Sequence, residues 1–185
     1  KGCKVLDVGC WTGGDALILA GLGANVLALE EHPVSARAAA ELCARVGAAV
    51  EVRQTSLYHD RQDWKQSFDF IYCAGVVYHV TDPLLLLRIL FAYLKPGGSV
   101  LIETKSAQGE GSICTYSGLA ERGWNFYAPN EPALARWLLD TGYEQIRLIR
   151  RGNGRLLAAG VKTAPRPLPE PAGFSRPGSW LEQEC

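Results

Sequence analysis

The segment over residues 5–15 constrains the fold of this chain more than any other, because an apolar strand runs into a glycine-containing loop and then a helix. The strand ends in a carboxylate, Asp7, and the loop holds Gly9 and Gly13. Such a unit lets the backbone approach a small ligand closely. A diphosphate beside Asp7 would meet like-charge repulsion, which disfavours a nicotinamide or flavin dinucleotide and favours a cationic cofactor. The glycine spacing, with Trp11 between the two glycines, also departs from the dinucleotide fingerprint.

Composition narrows the class of protein. The chain has 185 residues, enough for one domain with a buried core, and 48% of them are hydrophobic with balanced charge. Disorder and a generic nucleic-acid binder are therefore disfavoured, although a local basic patch stays open. No apolar run is long enough to span a bilayer, and we expect no signal peptide. Because the sequence contains no Met, we expect Lys1 not to be the natural first residue.

The six cysteines show no paired Cys-x-x-Cys spacing. A metal site therefore has no support in the sequence, and we expect none. Cysteines at strand ends usually act as small buried hydrophobes. A reduced, cytoplasmic setting is the simpler interpretation.

Strand and helix signals alternate along the chain, which predicts an α/β three-layer sandwich. Strands are predicted over residues 3–8, 25–29, 49–55, 68–73, 99–104, 143–149 and 155–161. Helices are predicted over residues 14–22, 33–46, 83–94 and 130–142, with prolines in two first turns and Asp82 and Asn130 as N-caps. Residues 95–98 are expected to stop the third helix, and residues 152–154 predict a tight antiparallel hairpin.

The alternation breaks twice, which predicts the domain organisation. Residues 105–129 are rich in Gly, Ser and aromatic residues without clear periodicity, and a loop this long is usually functional or mobile. From Ala164 onward the proline-rich sequence predicts a tail that packs as an extended strap or stays loose. We therefore expect one domain over residues 1–163 and a tail over residues 164–185.

Four segments, in the same order along residues 3–160, resemble one protein family. They are the Asp-Val-Gly-Cys-Trp-Thr-Gly loop, the Tyr-His-x-x-Asp-Pro segment, the Lys-Pro-Gly-Gly segment and the Trp-Asn-x-x-x-Pro segment. Together they look like class I S-adenosylmethionine (SAM) methyltransferases, in the family related to the tRNA wobble-uridine carboxymethyltransferase. The resemblance implies a Rossmann-like, seven-stranded, mostly parallel sheet of order 3-2-1-4-5-7-6 that ends in a C-terminal antiparallel hairpin.

The resemblance implies that SAM binds at the carboxyl edge of this sheet. Gly9 and Gly13 would wrap its methionine portion, and Asp7 would bind its ammonium directly or through water. Glu30 would accept hydrogen bonds from both ribose hydroxyls, as a carboxylate suits a diol. Trp11 would cover the loop or pack on it. For the glycine loop the alternative is a plain strand-to-helix turn, and for Glu30 it is a solvated charge at a strand end.

Four further residues are assigned to the cofactor. Ser56 holds the place where many relatives carry an adenine-binding Asp, and its hydroxyl can still accept, though without charge assistance. Leu57 would pack against the adenine ring. The resemblance implies that Cys73 and Ala74 offer backbone groups to the methionine end.

Candidate catalytic residues follow from the chemistry. Methyl transfer from a sulfonium is an in-line displacement, so alignment and exclusion of water carry most of the catalysis. A hydroxyl or phenol acceptor also loses a proton, for which His79 is the candidate base; a local structural role is the alternative. Tyr78 would line the donor pocket, contact the acceptor or be ordinary core. Glu103 would orient an acceptor or pair with a nearby cation.

Residues 105–129 are then interpreted as an acceptor lid, with Trp124, Asn125 and Tyr127 as substrate-binding residues. An ordinary aromatic core is the alternative. The hairpin carries four arginines, for which we favour a solvated edge that discourages strand pairing over a phosphate-contacting patch. These are Arg147, Arg150, Arg151 and Arg155.

Three functions stay open. We favour SAM-dependent methyl transfer to O or N of a small-molecule acceptor. The second is transfer of a methyl group, or of a carboxymethyl group from carboxy-S-adenosyl-L-methionine, to a tRNA wobble uridine. The carboxylated donor would need cationic partners, and the sequence places no convincing Lys or Arg beside Tyr78. The third is a catalytically inactive SAM-binding module, to which Ser56 lends slight support. The acceptor atom and the oligomeric state are not encoded in any pattern we can read.

Overall fold

The computed structural model describes residues 2–59, 62–118 and 125–163. Its strands are β1 Lys4–Val8, β2 Asn25–Glu30, β3 Val50–Gln54, β4 Phe68–Ala74, β5 Leu94–Lys105, β6 Cys114–Tyr116, β7 Tyr127–Pro129, β8 Glu144–Arg151 and β9 Arg155–Val161. Its α-helices are α1 Gly14–Gly21, α2 Pro33–Arg45, α3 Pro83–Tyr93 and α4 Glu131–Asp140. Single-turn 3-10 helices lie at Gln62–Trp64 and Val77–His79.

Seven of these strands form one sheet of order β3-β2-β1-β4-β5-β9-β8. The first five strands of that order pair in parallel, and β9 is antiparallel to both of its neighbours. Since β8 and β9 are the sixth and seventh sheet strands along the chain, the expected order 3-2-1-4-5-7-6 and the C-terminal hairpin are confirmed.

Helices cover the sheet on both faces. Alternate residues of a strand point to opposite faces, and in β1 Leu6 and Val8 join the larger core cluster with α3 and α4. Val5 joins a smaller cluster that contains Ala16 of α1 and Ala39 of α2. The three-layer sandwich is therefore confirmed.

Both predicted N-caps are present. The Leu85 amide donates to Asp82 Oδ1 over 2.8 Å at the start of α3, and the Ala133 amide donates to Asn130 Oδ1 over 3.1 Å at the start of α4. Each side chain satisfies an amide that has no partner inside its helix. Pro33 and Pro83 open their helices, as predicted.

The Lys-Pro-Gly-Gly segment corrects one prediction. Helix α3 ends at Tyr93, and residues 94–98 belong to β5 instead of separating the helix from a strand. The physical reason is pairing, since Leu94 lies opposite Phe68 before the register shifts so that Ser99 lies opposite Phe70. A side chain at Gly98 would approach the Lys95 carbonyl oxygen to 2.9 Å, so the bulge depends on this glycine.

The predicted loop over residues 105–129 also needs correction. It holds β6 and β7, which pair antiparallel through Cys114–Pro129, Thr115–Ala128 and Tyr116–Tyr127. Strands of three residues are too short to produce a visible alternation. The predicted tail over residues 164–185 lies outside the described residues, as does Trp124.

Within the described part of the chain, no helix is both long and apolar enough to cross a membrane.

Candidate active site

A cavity of about 1300 Å³ opens where β1, β2 and β4 end. Parallel strands present their carboxyl ends at one edge, and ligands bind there where the strand order reverses, here between β1 and β4. Seven predicted site residues line the cavity: Gly9, Trp11, Glu30, Leu57, Ala74, Tyr78 and His79.

The glycine loop after β1 cannot accept ordinary side chains at its two key positions. Gly9 has φ +69°, and a Cβ there would lie 2.5 Å from Val76 Cγ2. Gly13 has φ +86°, and a Cβ would lie 3.2 Å from Ala39 Cβ. Gly9 therefore lets the loop close on the segment after β4, whereas Gly13 lets it pack on α2.

Glu30 is fixed at the rim of the cavity by backbone amides. Its Oε2 accepts from the Trp11 amide and its Oε1 from the His32 amide, each over 2.8 Å. Both oxygens keep a further lone pair for a ligand diol. Trp11 has φ +48° and is 71% exposed, so its indole stands at the rim on a backbone that few side chains adopt.

Asp7 lies beneath the loop and does not line the cavity. Its side chain is 1% exposed, and its Oδ2 has no hydrogen-bond partner among the described residues. Burial, reinforced by the charges of Asp15 and Glu30, raises the pKa of Asp7 to about 7. Of the two predicted modes of ammonium binding, the water-mediated one fits this position better.

The segment after β3 supplies the next wall. Leu57 lines the cavity, but Ser56 does not, and the Ser56 hydroxyl accepts from the Tyr58 amide over 3.3 Å. The adenine role of Ser56 therefore has no support from its position. Tyr58, which sequence reasoning missed, lines the cavity and donates its hydroxyl to the Asp82 carbonyl over 3.2 Å. Burial raises the pKa of Tyr58 to about 12, so the phenol stays protonated.

At the end of β4, Ala74 lines the cavity while Cys73 is fully buried beneath it. Burial raises the pKa of the Cys73 thiol far above its usual value, so it is not a nucleophile. A second residue that sequence reasoning missed, Asp15, lines the cavity here and accepts a hydrogen bond from the Tyr72 hydroxyl over 3.1 Å.

The 3-10 helix after β4 carries the candidate base. His79 is exposed, lines the cavity and packs its ring on Tyr78, with 4.1 Å between the ring centroids. The His79 amide donates to the Val76 carbonyl over 2.8 Å, which fixes the backbone of this turn. His79 is therefore accessible to a molecule in the cavity.

Two cations lie beside Tyr78, and they overturn two sequence-based interpretations. The Arg155 guanidinium carbon lies 5.0 Å and Lys105 Nζ 5.5 Å from the centroid of the Tyr78 ring. Arg155 also lines the cavity, and its hydrogen bond with Tyr78 raises the pKa of its guanidinium. The expectation that no convincing Lys or Arg lies beside Tyr78 was therefore wrong. The interpretation of Arg155 as part of a solvated edge was also wrong.

The sequence does not reveal these two cations because their position depends on pairing between strands that are far apart in the chain. Antiparallel register places Arg155 of β9 opposite Lys105 of β5, which returns the start of the last strand to the cavity edge. Glu103, which does not line the cavity, pairs with Arg155 through an Nε–Oε1 distance of 3.2 Å. Of the two roles predicted for Glu103, pairing with a cation is the one that the geometry supports.

The other hairpin arginines fit the predicted solvated edge. Arg147, Arg150 and Arg151 are exposed on β8, the edge strand. Arg150 is bound by Glu131 at 3.1 Å and by Gln108 at 3.2 Å. In the described residues, no group of three or more His, Cys, Asp or Glu side chains could hold a metal ion.

The predicted lid contacts the 3-10 helix Val77–His79 through its backbone. The Phe126 amide donates to the Tyr78 carbonyl over 2.7 Å, and the Tyr127 ring packs on Tyr116 with 5.2 Å between centroids. Neither Asn125 nor Tyr127 lines the cavity. The substrate-binding role of these two residues stays a prediction.

Comparison with known proteins identifies the class. Residues 1–148 match the family model described as a methyltransferase domain, so the chain belongs to that family. The fold is also that of Burkholderia thailandensis 1,6-didemethyltoxoflavin-N1-methyltransferase with bound S-adenosylhomocysteine, with a TM-score of 0.70 and 21% identity over 89% of this chain and 72% of that one. The chain is therefore a methyltransferase domain, with the fold of that S-adenosylhomocysteine-bound enzyme.

Two curated relatives with different names are each about 30% identical to this chain. The tRNA U34 carboxymethyltransferase of Methylococcus capsulatus is 32% identical over 166 residues, which cover 80% of this chain and 47% of that protein. The ubiquinone biosynthesis O-methyltransferase of Xanthomonas euvesicatoria pv. vesicatoria is 30% identical over 151 residues, covering 77% and 63%. The chain thus spans about half to two thirds of the length of these relatives.

The residues at the cavity fit SAM. The close approach at Gly9 suits an extended ligand chain lying on the backbone, and the fixed Glu30 carboxylate suits a ribose diol. The acidic residues Asp15, on the cavity wall, and Asp7, beneath the glycine loop, suit a molecule that carries an ammonium and a sulfonium.

Proposed function

We propose that this domain, in a reducing cytoplasmic setting, transfers a methyl group from SAM to an oxygen or nitrogen atom of a small-molecule acceptor. The observation that carries the proposal is one continuous cavity with two different walls. Glu30 and the glycine loop line one part, and Tyr78 and His79 line another. A donor and a small acceptor can therefore lie side by side in one cavity, which in-line transfer requires.

When bound, SAM supplies an electrophilic methyl group on a sulfonium. Of the residues at the cavity, the glycine loop and Ala74 would hold its methionine portion, and Glu30 would hold its ribose. His79 would accept the proton that a hydroxyl acceptor loses. Tyr78, packed under His79, fixes the orientation of the imidazole.

Steady-state kinetics with His79→Gln tests this assignment. We expect kcat with a hydroxyl acceptor to fall by about 100-fold or more, the usual contribution of a general base, while SAM affinity stays unchanged. His59→Gln is the matched control, because His59 is exposed and does not line the cavity. An unchanged kcat in His79→Gln would remove the residue from the mechanism.

A second candidate function has a specific observation in its favour. Arg155 lines the cavity and bonds Tyr78, so a cation is present where a carboxylated donor would need one. This supports carboxymethyl transfer to an RNA uridine, the activity in the name of the Methylococcus relative. We rank it second because Glu103 already pairs with Arg155 and offsets its charge.

Competitive binding of SAM and carboxy-S-adenosyl-L-methionine separates the two candidates. If the first candidate function is right, SAM binds more tightly than the carboxylated donor, and Arg155→Leu changes the affinity for SAM little. If the carboxylated donor binds more tightly and Arg155→Leu reverses that preference, the second function replaces the first. Donor binding without turnover on a broad panel of small acceptors and tRNA would favour the inactive binding module.

A further inference from the structure

On one side of the sheet, the described helices cover only some of the strands. There α1 packs mainly against β1, β2 and β3, and α2 packs mainly against β2 and β3. On the opposite side, α3 packs against β5 and α4 against β8 and β9. The α1 side of β5, β9 and β8 thus lies beyond the strands that the described helices cover.

Burial alternates along β5 and β9, so that one side of each strand is buried and the other is half-buried. The register places the half-buried residues of the two strands opposite one another, and Ile149 of β8, which is 59% exposed, lies beside them. We call this apolar surface the open face; its residues are Leu101, Ile149, Leu157, Ala159 and Val161. An apolar sheet surface is ordinarily buried against another layer of the fold.

The size of the open face favours a single chain segment as its cover. Strands lie about 4.8 Å apart and rise about 3.4 Å per residue, so the open face measures roughly 10 by 15 Å. A stable interface between two protein copies buries about 800 Å² on each of them. The open face by itself is too small for a second copy, whereas one apolar segment of chain fits it.

The chain leaves the sheet at a corner of the open face. Strand β9 ends at Val161, and the Thr163 hydroxyl donates to Glu144 Oε2 over 2.7 Å. Glu144 lies opposite Val161 in the register, and paired residues of neighbouring strands point to the same face of a sheet. This hydrogen bond therefore fixes the exit of the chain beside the open face, and residues 164–185, the predicted tail, follow from that point.

The sequence of the tail suits the open face better than the edge of the sheet. Every second residue over 165–171 is Pro, and a proline-rich segment extends by about 3.1 Å per residue, so it reaches about 20 Å, enough to cross the face. Because proline has no amide hydrogen, this segment cannot pair with β8 as a further strand. Beyond it the tail carries Phe174 and the apolar pair Trp180 and Leu181, which can bury apolar area.

The charges at the rim of the open face also match the tail. Arg147 and Arg151 flank Ile149 on the same side of β8, because alternate residues of a strand share a face. Both arginines are exposed, and neither has an ion-pair partner among the described residues. Two acidic residues, Glu182 and Glu184, directly follow the apolar pair of the tail. An apolar anchor followed by negative charge is therefore complementary to this edge of the face.

We propose that the tail over residues 164–185 docks on the open face of its own chain. Its apolar pair packs on Ile149 and the neighbouring apolar residues, and its two acidic residues lie beside the arginines of β8. The proline-rich segment crosses the sheet from the corner at Thr163. The docked tail supplies the layer that this part of the sheet lacks among the described residues, and it does so independently of which donor or acceptor the cavity binds.

The test measures the rate at which a maleimide labels a thiol introduced by Ile149→Cys, read peptide by peptide by mass spectrometry under reducing conditions. Because the tail must leave the face before the thiol reacts, the full chain should react at least about 10-fold more slowly than a chain that ends at Thr163. Trp180→Ala in the full chain should remove most of this protection. Val46→Cys is the matched control, since Val46 is 60% exposed at the end of α2, and its thiol should react equally in both chains.

Charge and concentration separate the tail from other occupants of the open face. Replacing Glu182 and Glu184 together by Gln should raise the labelling rate at position 149 by about 2- to 3-fold at low salt and not at 1 M salt. Equal rates in the full and shortened chains, or protection that survives Trp180→Ala, would overturn the proposal. Protection that rises with protein concentration, together with a dimer in sedimentation velocity, would assign the face to a second copy instead. If thermal melting shows that the shortened chain does not fold, the comparison of the full chain with Trp180→Ala decides alone.

Discussion

At the scale of single residues, the buried Asp7 makes the free energy of unfolding depend on pH. Burial raises its pKa from 3.8 to about 7, so the folded protein binds a proton that the unfolded chain has already released between these values. Stability therefore falls as pH rises through this window, and the loss is complete above the folded pKa. We expect Asp7→Asn to be more stable than wild type at about pH 8, by on the order of 2–4 kcal/mol, with no difference at about pH 4.

Urea unfolding of both proteins across this pH range measures the effect of Asp7. Asp69, whose pKa is lowered by its hydrogen bond with Lys95, acts in the opposite direction and only below its ordinary value of 3.8. The difference between wild type and variant cancels contributions that the two proteins share. A difference that does not grow with pH would show that Asp7 is not held in the buried environment described.

Substitution of Gly9 should lower the free energy of unfolding. A methyl group there would lie 2.5 Å from Val76 Cγ2 on a backbone with φ +69°, so Gly9→Ala should destabilise the protein by about 1–3 kcal/mol and weaken SAM binding. Gly21→Ala is the matched control, because nothing lies within 4 Å of its Cβ, and it should stabilise α1 by about 0.5–1 kcal/mol. Chemical denaturation of both variants checks this; equal effects would contradict the close approach of the loop.

At the scale of elements, Asn130 joins α4 to residues 109–113. Its Oδ1 accepts from the Ala133 and Ile113 amides, each over 3.1 Å, and its Nδ2 donates to the carbonyls of Gly109 and Gly111. Since the side chain is 1% exposed, we expect Asn130→Ala to cost about 2–4 kcal/mol, more than the cap of α4 alone.

Two further variants separate the contribution of the α4 cap from that of the bonds between Asn130 and residues 109–113. Asp82→Ala removes a single capping bond at α3 and should cost about 1 kcal/mol. Asn130→Asp keeps the acceptor but loses both donated bonds, so its free energy of unfolding should lie between those of wild type and Asn130→Ala. If Asn130→Ala and Asp82→Ala cost the same in chemical denaturation, the bonds to residues 109–113 contribute nothing.

Elements with strong local signals were predictable from the sequence. Proline and a capping side chain mark the starts of α3 and α4, and apolar runs mark β1 and β4. The strand at residues 94–98 and the pair β6–β7 were missed, because pairing with distant partners creates them. The same reason hid Arg155, whose position at the cavity depends on the register of β9 against β5.

At the scale of the whole molecule, the strand order creates the site. Reversal of the order between β1 and β4 opens the cavity, and the final hairpin brings Arg155 to its edge. Local patterns predicted alternating strands and helices but not their order, which came from the family resemblance. The glycine loop and Glu30 were predictable because strand ends carry local signals, whereas Asp15 and Tyr58 follow no such signal.

The central claim is that this cavity binds a cationic, adenosine-containing methyl donor. Calorimetric titration of the domain with S-adenosylhomocysteine, SAM and NAD, on wild type and Glu30→Ala, tests it most directly. We predict one site for the first two ligands, weaker binding in Glu30→Ala, and a rise in Tm of about 5–10 °C at 100 times Kd. Binding of NAD in place of both SAM ligands, or full affinity in Glu30→Ala, would contradict the account.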